Sequence, residues 1–155
     1  MKRHLLLITI TLTLALAGLA IAKAHTTTIR LGKTSFGMSL VAQRLQNGRG
    51  IPIYIFTHDS RTKSRCSGSC TAMFTPVIDL GTLKALSGAR QKLLGVIKRG
   101  HGITQVTYNH HPLYTGAYDT PGVASEDGCQ LYGGSWFVVD RNGKPDTRFT
   151  IACGY

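Results

Sequence analysis

Apolar residues fill Leu5 to Ile21, interrupted only by Thr and Gly, and no later stretch of the chain matches that run. A positive start, Met1-Lys2-Arg3, precedes it. Ala22-Lys23-Ala24 follows with the small-x-small spacing that signal peptidase cleaves. The pattern predicts an export signal over 1–24, with His25 as the first residue of a single mature domain over 25–155. No other apolar run reaches the ~18 residues a transmembrane helix needs, so no span is expected after cleavage.

Beyond the signal the pattern is mostly that of strands. Residues 25–35 are Thr-rich and read as a first strand or a loosely held arm. Met38, Leu40 and Val41 suggest a short strand, ended by the turn chemistry of Gln46-Asn47-Gly48-Arg49-Gly50. Ile51-Pro52-Ile53-Tyr54-Ile55-Phe56 is the most β-like run, with its proline suited to an edge or a strand start. One helical turn is expected around Ala72 to Phe74, stopped by Pro76. Leu83, Leu86, Leu93, Leu94 and Ile97 fall at partly helical spacing, and Gly88 and Gly95 break it, so short helical pieces are expected between 82 and 97.

Val96–Lys98 and Ile103–Tyr108 flank Arg99-Gly100-His101-Gly102 as a second hairpin, and Asn109-His110-His111 turns the chain into Pro112-Leu113-Tyr114. Residues 119–134 are rich in turn formers. Trp136–Val139 is a final strong strand, on which Trp136 and Phe137 alternate, one toward the core and one toward the rim. Phe149–Ala152 adds a short closing strand. The expected fold class is mainly β, with α+β as the alternative: two related antiparallel hairpin units with short helical inserts.

Cysteine usage adds covalent ties to this picture. Cys66, Cys70, Cys129 and Cys153 are an even set in an exported chain, which predicts two disulfides rather than a metal centre. The preferred pairing is Cys66–Cys70, closed around the flexible Ser67-Gly68-Ser69, with Cys129–Cys153 tying the C-terminal segment to the Gly-rich region. No cysteine stands directly after the signal as a lipid acceptor, so the exported protein is expected to be periplasmic or secreted, soluble and not lipidated.

The formal charge is +11, with 18 basic and 7 acidic residues. A basic balance favours an anionic partner, and export makes an envelope component a better match than nucleic acid. The densest basic group, Arg61, Lys63 and Arg65, is spaced by Ser60, Thr62 and Ser64, without the interleaved aromatics that stack on bases.

Tyr54-Ile-Phe-Thr-His-Asp59 and Tyr114-Thr-Gly-Ala-Tyr-Asp119 share Tyr-x4-Asp and begin 60 residues apart, each after a proline-led β run. The first unit continues with Cys66, Gly68, Cys70, Ala72, Phe74 and Pro76. The second carries Arg99, Gln105-Val106-Thr107-Tyr108-Asn109, Pro112-Leu113-Tyr114 and Trp136. This ordered set, over about residues 38–143, resembles the bacterial secreted repeat of unknown function, predicted lipoproteins with a Tyr-x-aromatic-x-x-Asp motif in tandem. The resemblance implies two pseudo-repeats, about 36–78 and 96–140, with Tyr54, Phe56, Asp59, Tyr108, Tyr114, Asp119 and Trp136 as motif positions. The chain departs from it at Gly116, where the motif has an aromatic, at His101, where an Asp is common, and in lacking the lipid-acceptor cysteine. The family carries no established reaction, so the resemblance implies no catalytic residues.

The residues themselves offer three functions. A non-enzymatic binding or envelope-associated domain, with no cofactor, is the leading expectation. The alternative is a copper-binding or redox accessory protein, in which the free amine and imidazole of His25 chelate Cu(II) together with His58, His101, His110 or His111. A small hydrolase would need Asp59 and Asp119 to face one cleft. Against that last reading, both aspartates sit just past strands, where Asp commonly caps a turn while Tyr and Phe fill the core.

Overall fold

The computed structural model describes residues 25–46, 49–148 and 150–153. The expected signal over 1–24, Asn47-Gly48 of the first turn and Phe149 of the closing strand lie outside the described residues.

The Thr-rich start is a regular strand, β1 (His25–Thr34), paired antiparallel with β2 (Gly37–Gln46). Thr34 faces Gly37, so Ser35-Phe36 forms a two-residue turn, and Gly37 takes a φ of 105° just beyond it. β3 (Arg49–Pro52) pairs with β2 at the sheet edge, where a residue without an N–H breaks no ladder. After β4 (Tyr54–Phe56) comes a polar loop, then the single helical turn α1 (Ser69–Met73) and β5 (Phe74–Pro76).

Of the short helical pieces expected between 82 and 97 a single turn forms, and most of the segment is strand. The segment forms β6 (Gly81–Leu86), one 3-10 turn at Gln91–Leu93, and β7 (Leu94–Lys98). The free edge of β1 explains the difference, since β6 pairs parallel with it from His25–Gly81 to Arg30–Leu86. Thr27 Oγ1 donates to the Ile78 carbonyl and accepts from Leu80 N–H, while Asp79 accepts from Gly81 N–H. On the open side of β6 the Gln91 amide accepts from Ala85 N–H and donates to the Leu83 carbonyl, as a further strand would. Tertiary pairing has overridden local spacing.

β7 and β8 (Thr104–Tyr108) form the expected second hairpin, with His101 in left-handed φ of 59° in its turn. β9 (His111–Pro112) folds back on β8 through Asn109 and His110, both at positive φ as a tight two-residue hairpin requires. β10 (Tyr114–Gly116), β11 (Cys129–Leu131), β12 (Gly134–Val138) and β13 (Ile151–Ala152) complete the chain. A six-stranded sheet runs β13-β11-β12-β4-β10-β5, beside β3-β2-β1-β6 and β7-β8-β9. The fold is mainly β, as expected.

β4 and β10 are neighbours in the six-stranded sheet, and each is flanked on its other side by a strand from the other half of the chain: β12 on β4, β5 on β10. β4 is buried on both faces, which is why its sequence is an unbroken apolar run. Tyr54 and Phe56 point into one cluster with Phe74, Tyr114, Trp136, Val138 and both cysteines of the first pair. Ile53 and Ile55 point into a second, with Ile29, Leu40, Val77, Val106, Leu113 and Val139.

In the first cluster the indole of Trp136 lies between two parallel rings, Phe56 at 4.2 Å and Phe74 at 3.5 Å, with Tyr114 edge-on at 5.1 Å. Phe137 does not reach the rim. It is 5% exposed against 0% for Trp136, because both faces of β12 are covered.

The disulfides are Cys66–Cys70 and Cys129–Cys153, as expected, with Cα atoms 5.3 and 5.4 Å apart. By loop-closure entropy these rings restrict the unfolded chain by about 2 and 3.5 kcal/mol.

Trp136 joins strands from both halves of the chain, so Trp136→Ala is expected to cost about 3–5 kcal/mol in urea denaturation. A loss below about 1 kcal/mol would show that the ring stack is not a main element of the core.

Candidate functional site

Tyr54 and Tyr114 are direct cross-strand partners at the β4–β10 crossing, and both are fully buried. A buried phenol needs a hydrogen-bond partner. Each finds it on the aspartate of the other motif: Tyr54 OH donates to Asp119 Oδ1 at 3.0 Å, and Tyr114 OH donates to Asp59 Oδ2 at 2.6 Å. The same aspartates hold their own loops. Asp59 Oδ1 accepts from Arg65 N–H at 2.6 Å and Asp119 Oδ1 from Ser125 N–H at 2.7 Å, six residues on in both cases. Small bridges close both turns, Ser60–Lys63 and Thr120–Val123. Burial pushes both phenols well above their ordinary values, and the aspartates they meet raise them further.

The two halves then diverge. Around Asp59 the network extends through Ser64, whose Oγ lies 2.7 Å from Tyr114 OH, to Arg99. Arg99 donates to Ser64 Oγ, Gln105 Oε1 and the Cys66 carbonyl, each at 2.6 Å. Burial raises the Asp59 carboxyl above its ordinary range, opposed by Arg65 N–H, Tyr114 OH and the nearby Arg99 charge.

Around Asp119 the neighbour is a second acid. Glu126 is fully buried and accepts from Tyr118 N–H at 3.1 Å. Its Oε2 and Asp119 Oδ2 are buried and meet no N–H or O–H donor among the described residues. Burial raises Asp119 to about 8, with a hydrogen bond to Glu126 and its charge adding to the shift. A protonated Asp119 facing Glu126 satisfies both orphaned oxygens. Gly116 makes room for the pair: a Cβ there would clash with Glu126 and sit 3.1 Å from Asp119 Oδ2. The aromatic of the first motif, Phe56, has no equivalent here because the carboxyls occupy that space. Asp127, 1% exposed, is a third buried acid; burial raises it to about 6 while Val138 N–H, 2.7 Å away, opposes the shift.

Asp59 and Asp119 therefore do not share a cleft. β4 and β10 run antiparallel, so the loops that follow them lie at opposite ends of the pair, each aspartate with its own partners.

The histidines are dispersed. His25 starts β1 opposite Gly81; His101 and His110 occupy separate exposed turns. His58 is exposed, stacked on Phe56 at 5.8 Å, with Nδ1 3.2 Å from the Gly133 carbonyl. His111 is half-buried in β9, and burial, then the charges of Arg61 and His110, lower its pKa. Among the described residues no three His, Cys, Asp or Glu side chains gather as a metal site. Tyr108 serves the core, accepting from Arg90 N–H and donating to the Arg141 carbonyl.

Glu126, Asp127 and the bracing role of Arg99 escaped the sequence reading. The 60-residue offset between motifs was the available signal, because it aligns Glu126 with Cys66 and exposes the exchange of a disulfide for an acid. Compared with family models, with curated proteins and with solved structures, the chain matches none.

Two measurements test this arrangement. Tyr114→Phe leaves Asp59 without its hydroxyl donor and is expected to cost about 1–3 kcal/mol, with a coupling of about 1 kcal/mol to Asp59→Asn in a double-mutant cycle. Zero coupling would disprove the bond's role. The raised Asp119 means that the folded chain holds this proton more tightly than the unfolded one, so its contribution is complete below about pH 4 and is lost as pH rises through about 8. Tm should fall across that window, and Asp119→Asn should flatten the fall; an unchanged slope in the variant would refute the assignment.

Proposed function

We propose that the protein is an exported, disulfide-stabilised binding module that attaches to an anionic component of the cell envelope and catalyses no reaction. We further propose that it is a divergent relative of the secreted repeat family, its two halves being copies of one unit.

The distribution of charge carries the binding proposal. Each of the seven acidic side chains accepts a backbone N–H: Asp59 from Arg65, Asp79 from Gly81, Asp119 from Ser125, Glu126 from Tyr118, Asp127 from Val138, Asp140 from Asn142 and Lys144, and Asp146 from Arg148. The negative charge is thus committed to turns, and much of it is buried. The side chains of Arg61, Lys63 and Arg65 are exposed and form no ion pair among the described residues. Their loop is held by Asp59, which presents the three cations on a fixed frame rather than a free coil. Such a face attracts polyanions over about a Debye length. Asp59 and Asp119 are meanwhile held apart, each by a tyrosine hydroxyl and a turn amide, which speaks against their acting together on one substrate.

The wild-type protein should adsorb to isolated envelope fractions at about 0.05 M salt and be released near 1 M, where screening shortens the interaction to about 3 Å. The triple variant R61Q/K63Q/R65Q, with unchanged Tm, should lose most of that adsorption. Adsorption that ignores both salt and the triple variant would sink the proposal, as would none at all.

A further inference from the structure

A strand at a sheet edge offers unpaired N–H and C=O groups to any extended chain, and most edges of this fold are blunted. On β3 the outward residues are Gly50, whose carbonyl accepts from Gly122 N–H at 3.0 Å, and Pro52, which has no N–H. On β5 they are Phe74, whose N–H donates to the Cys70 carbonyl, and Pro76. On β6 the Gln91 amide serves Ala85 and Leu83, and β9 is two residues long with Pro112 as one of them.

The edge of β7 is different. Asn109 N–H donates to the Leu93 carbonyl and Arg99 N–H to the Ile103 carbonyl, so Gly95 and Ile97 are the residues between that bond to β8. Leu94, Val96 and Lys98 therefore turn their backbone groups away from β8. The Leu94 N–H is taken by the Gln91 carbonyl. The carbonyls of all three, and the N–H groups of Val96 and Lys98, meet no partner among the described residues. Val96 is also 46% exposed, beside its buried cross-strand partner Val106.

The charge around this edge has one sign. Residues 80–118 hold five Lys and Arg side chains and no acid. Lys92 and Lys98 are exposed and stand just before β7 and at its end, and Lys98 Nζ donates to the Thr104 hydroxyl rather than to a carboxylate. Two copies joined antiparallel at this edge would gather lysines at both ends, which disfavours a dimer. An acidic chain would instead meet a cation at each end.

We infer that β7 is a docking edge for an extended acidic segment of another protein, which adds antiparallel to it as a fourth strand of the β7-β8-β9 sheet. The incoming residue opposite Val96 exchanges both backbone bonds with it and packs a β-branched side chain against its exposed face. An acid two residues earlier lies opposite Lys98, and an acid four residues later lies beside Lys92. Recognition is by backbone pairing with charge at both ends, it uses none of Arg61, Lys63 or Arg65, and it does not depend on the envelope proposal.

Titration calorimetry of the whole protein with the capped peptide Glu-Thr-Val-Thr-Leu-Thr-Glu tests it. Saturable one-to-one binding is expected, and a peptide with both Glu replaced by Lys should bind about tenfold more weakly. N-methylation of the Val amide removes a bond to Val96 and should cost about tenfold, whereas N-methylation of the Thr that follows it, whose amide points away from β7, should not. On the protein side, V96P removes an outward N–H and no internal bond, so Tm should hold while affinity falls about tenfold. K98E changes an exposed side chain, should reverse the preference toward the Lys peptide, and keeps the experiment decisive where V96P does not fold. The loop variant R61Q/K63Q/R65Q should leave the affinity within about twofold. The inference is overturned by non-saturable binding, by indifference to Val N-methylation, by an unchanged preference in K98E, or by equal loss in the loop variant. Concentration-dependent dimerisation that V96P abolishes would also overturn it, by making a second copy the occupant of the edge.

Discussion

Burying a tyrosine hydroxyl without a partner is costly, and at the β4–β10 crossing two such hydroxyls are buried side by side. Neither can be served by its own strand, whose polar groups are committed to the sheet. Each is served by a carboxylate that the opposite strand delivers just past its end. That reciprocal arrangement sets the rest of the architecture. It fixes where both loops leave the sheet, it demands that β4 and β10 be neighbours, and it seals the aromatic layer in which Trp136 is stacked. The aspartates act at three levels together: they cap a turn, satisfy a core hydroxyl, and bind one half of the chain to the other.

The same frame tolerates very different fillings on its two sides. Around Asp59 it carries a neutralising arginine and a small disulfide ring; around Asp119 it carries a second carboxyl and a glycine. The difference decides what each side can do. The Asp59 side is rigid and presents cations outward. On the Asp119 side, burial and the neighbouring Glu126 raise the aspartate instead.

Much of this was legible in the residues. The unbroken apolar run at 51–56 announces a strand covered on both faces, and the even cysteine set announces the ties that are found. The Tyr-x4-Asp spacing identifies the four residues at the centre. It does not say that the bonds cross between motifs, because spacing along a chain carries no information about which strand will lie opposite. Residues 82–97 were misread for a related reason: their leucines fit a weak helical period, whereas their conformation answers to the vacant edge of β1, some fifty residues earlier. Glu126 and Asp127 lie in a glycine-rich stretch with no hydrophobic period to mark them as interior, and acids are seldom buried.

The exchange of β5 and β12 between the halves also governs how the native state can be reached. β4 ends at Phe56, yet one of its two neighbours is β12, which begins at Gly134. β5 in turn waits for β10. Neither half can complete the six-stranded sheet alone, so its assembly depends on contacts between distant parts of the sequence. Topologies of that kind fold slowly for their size. Until the final strands arrive β4 and β5 keep unpaired edges, and such edges are open to aggregation.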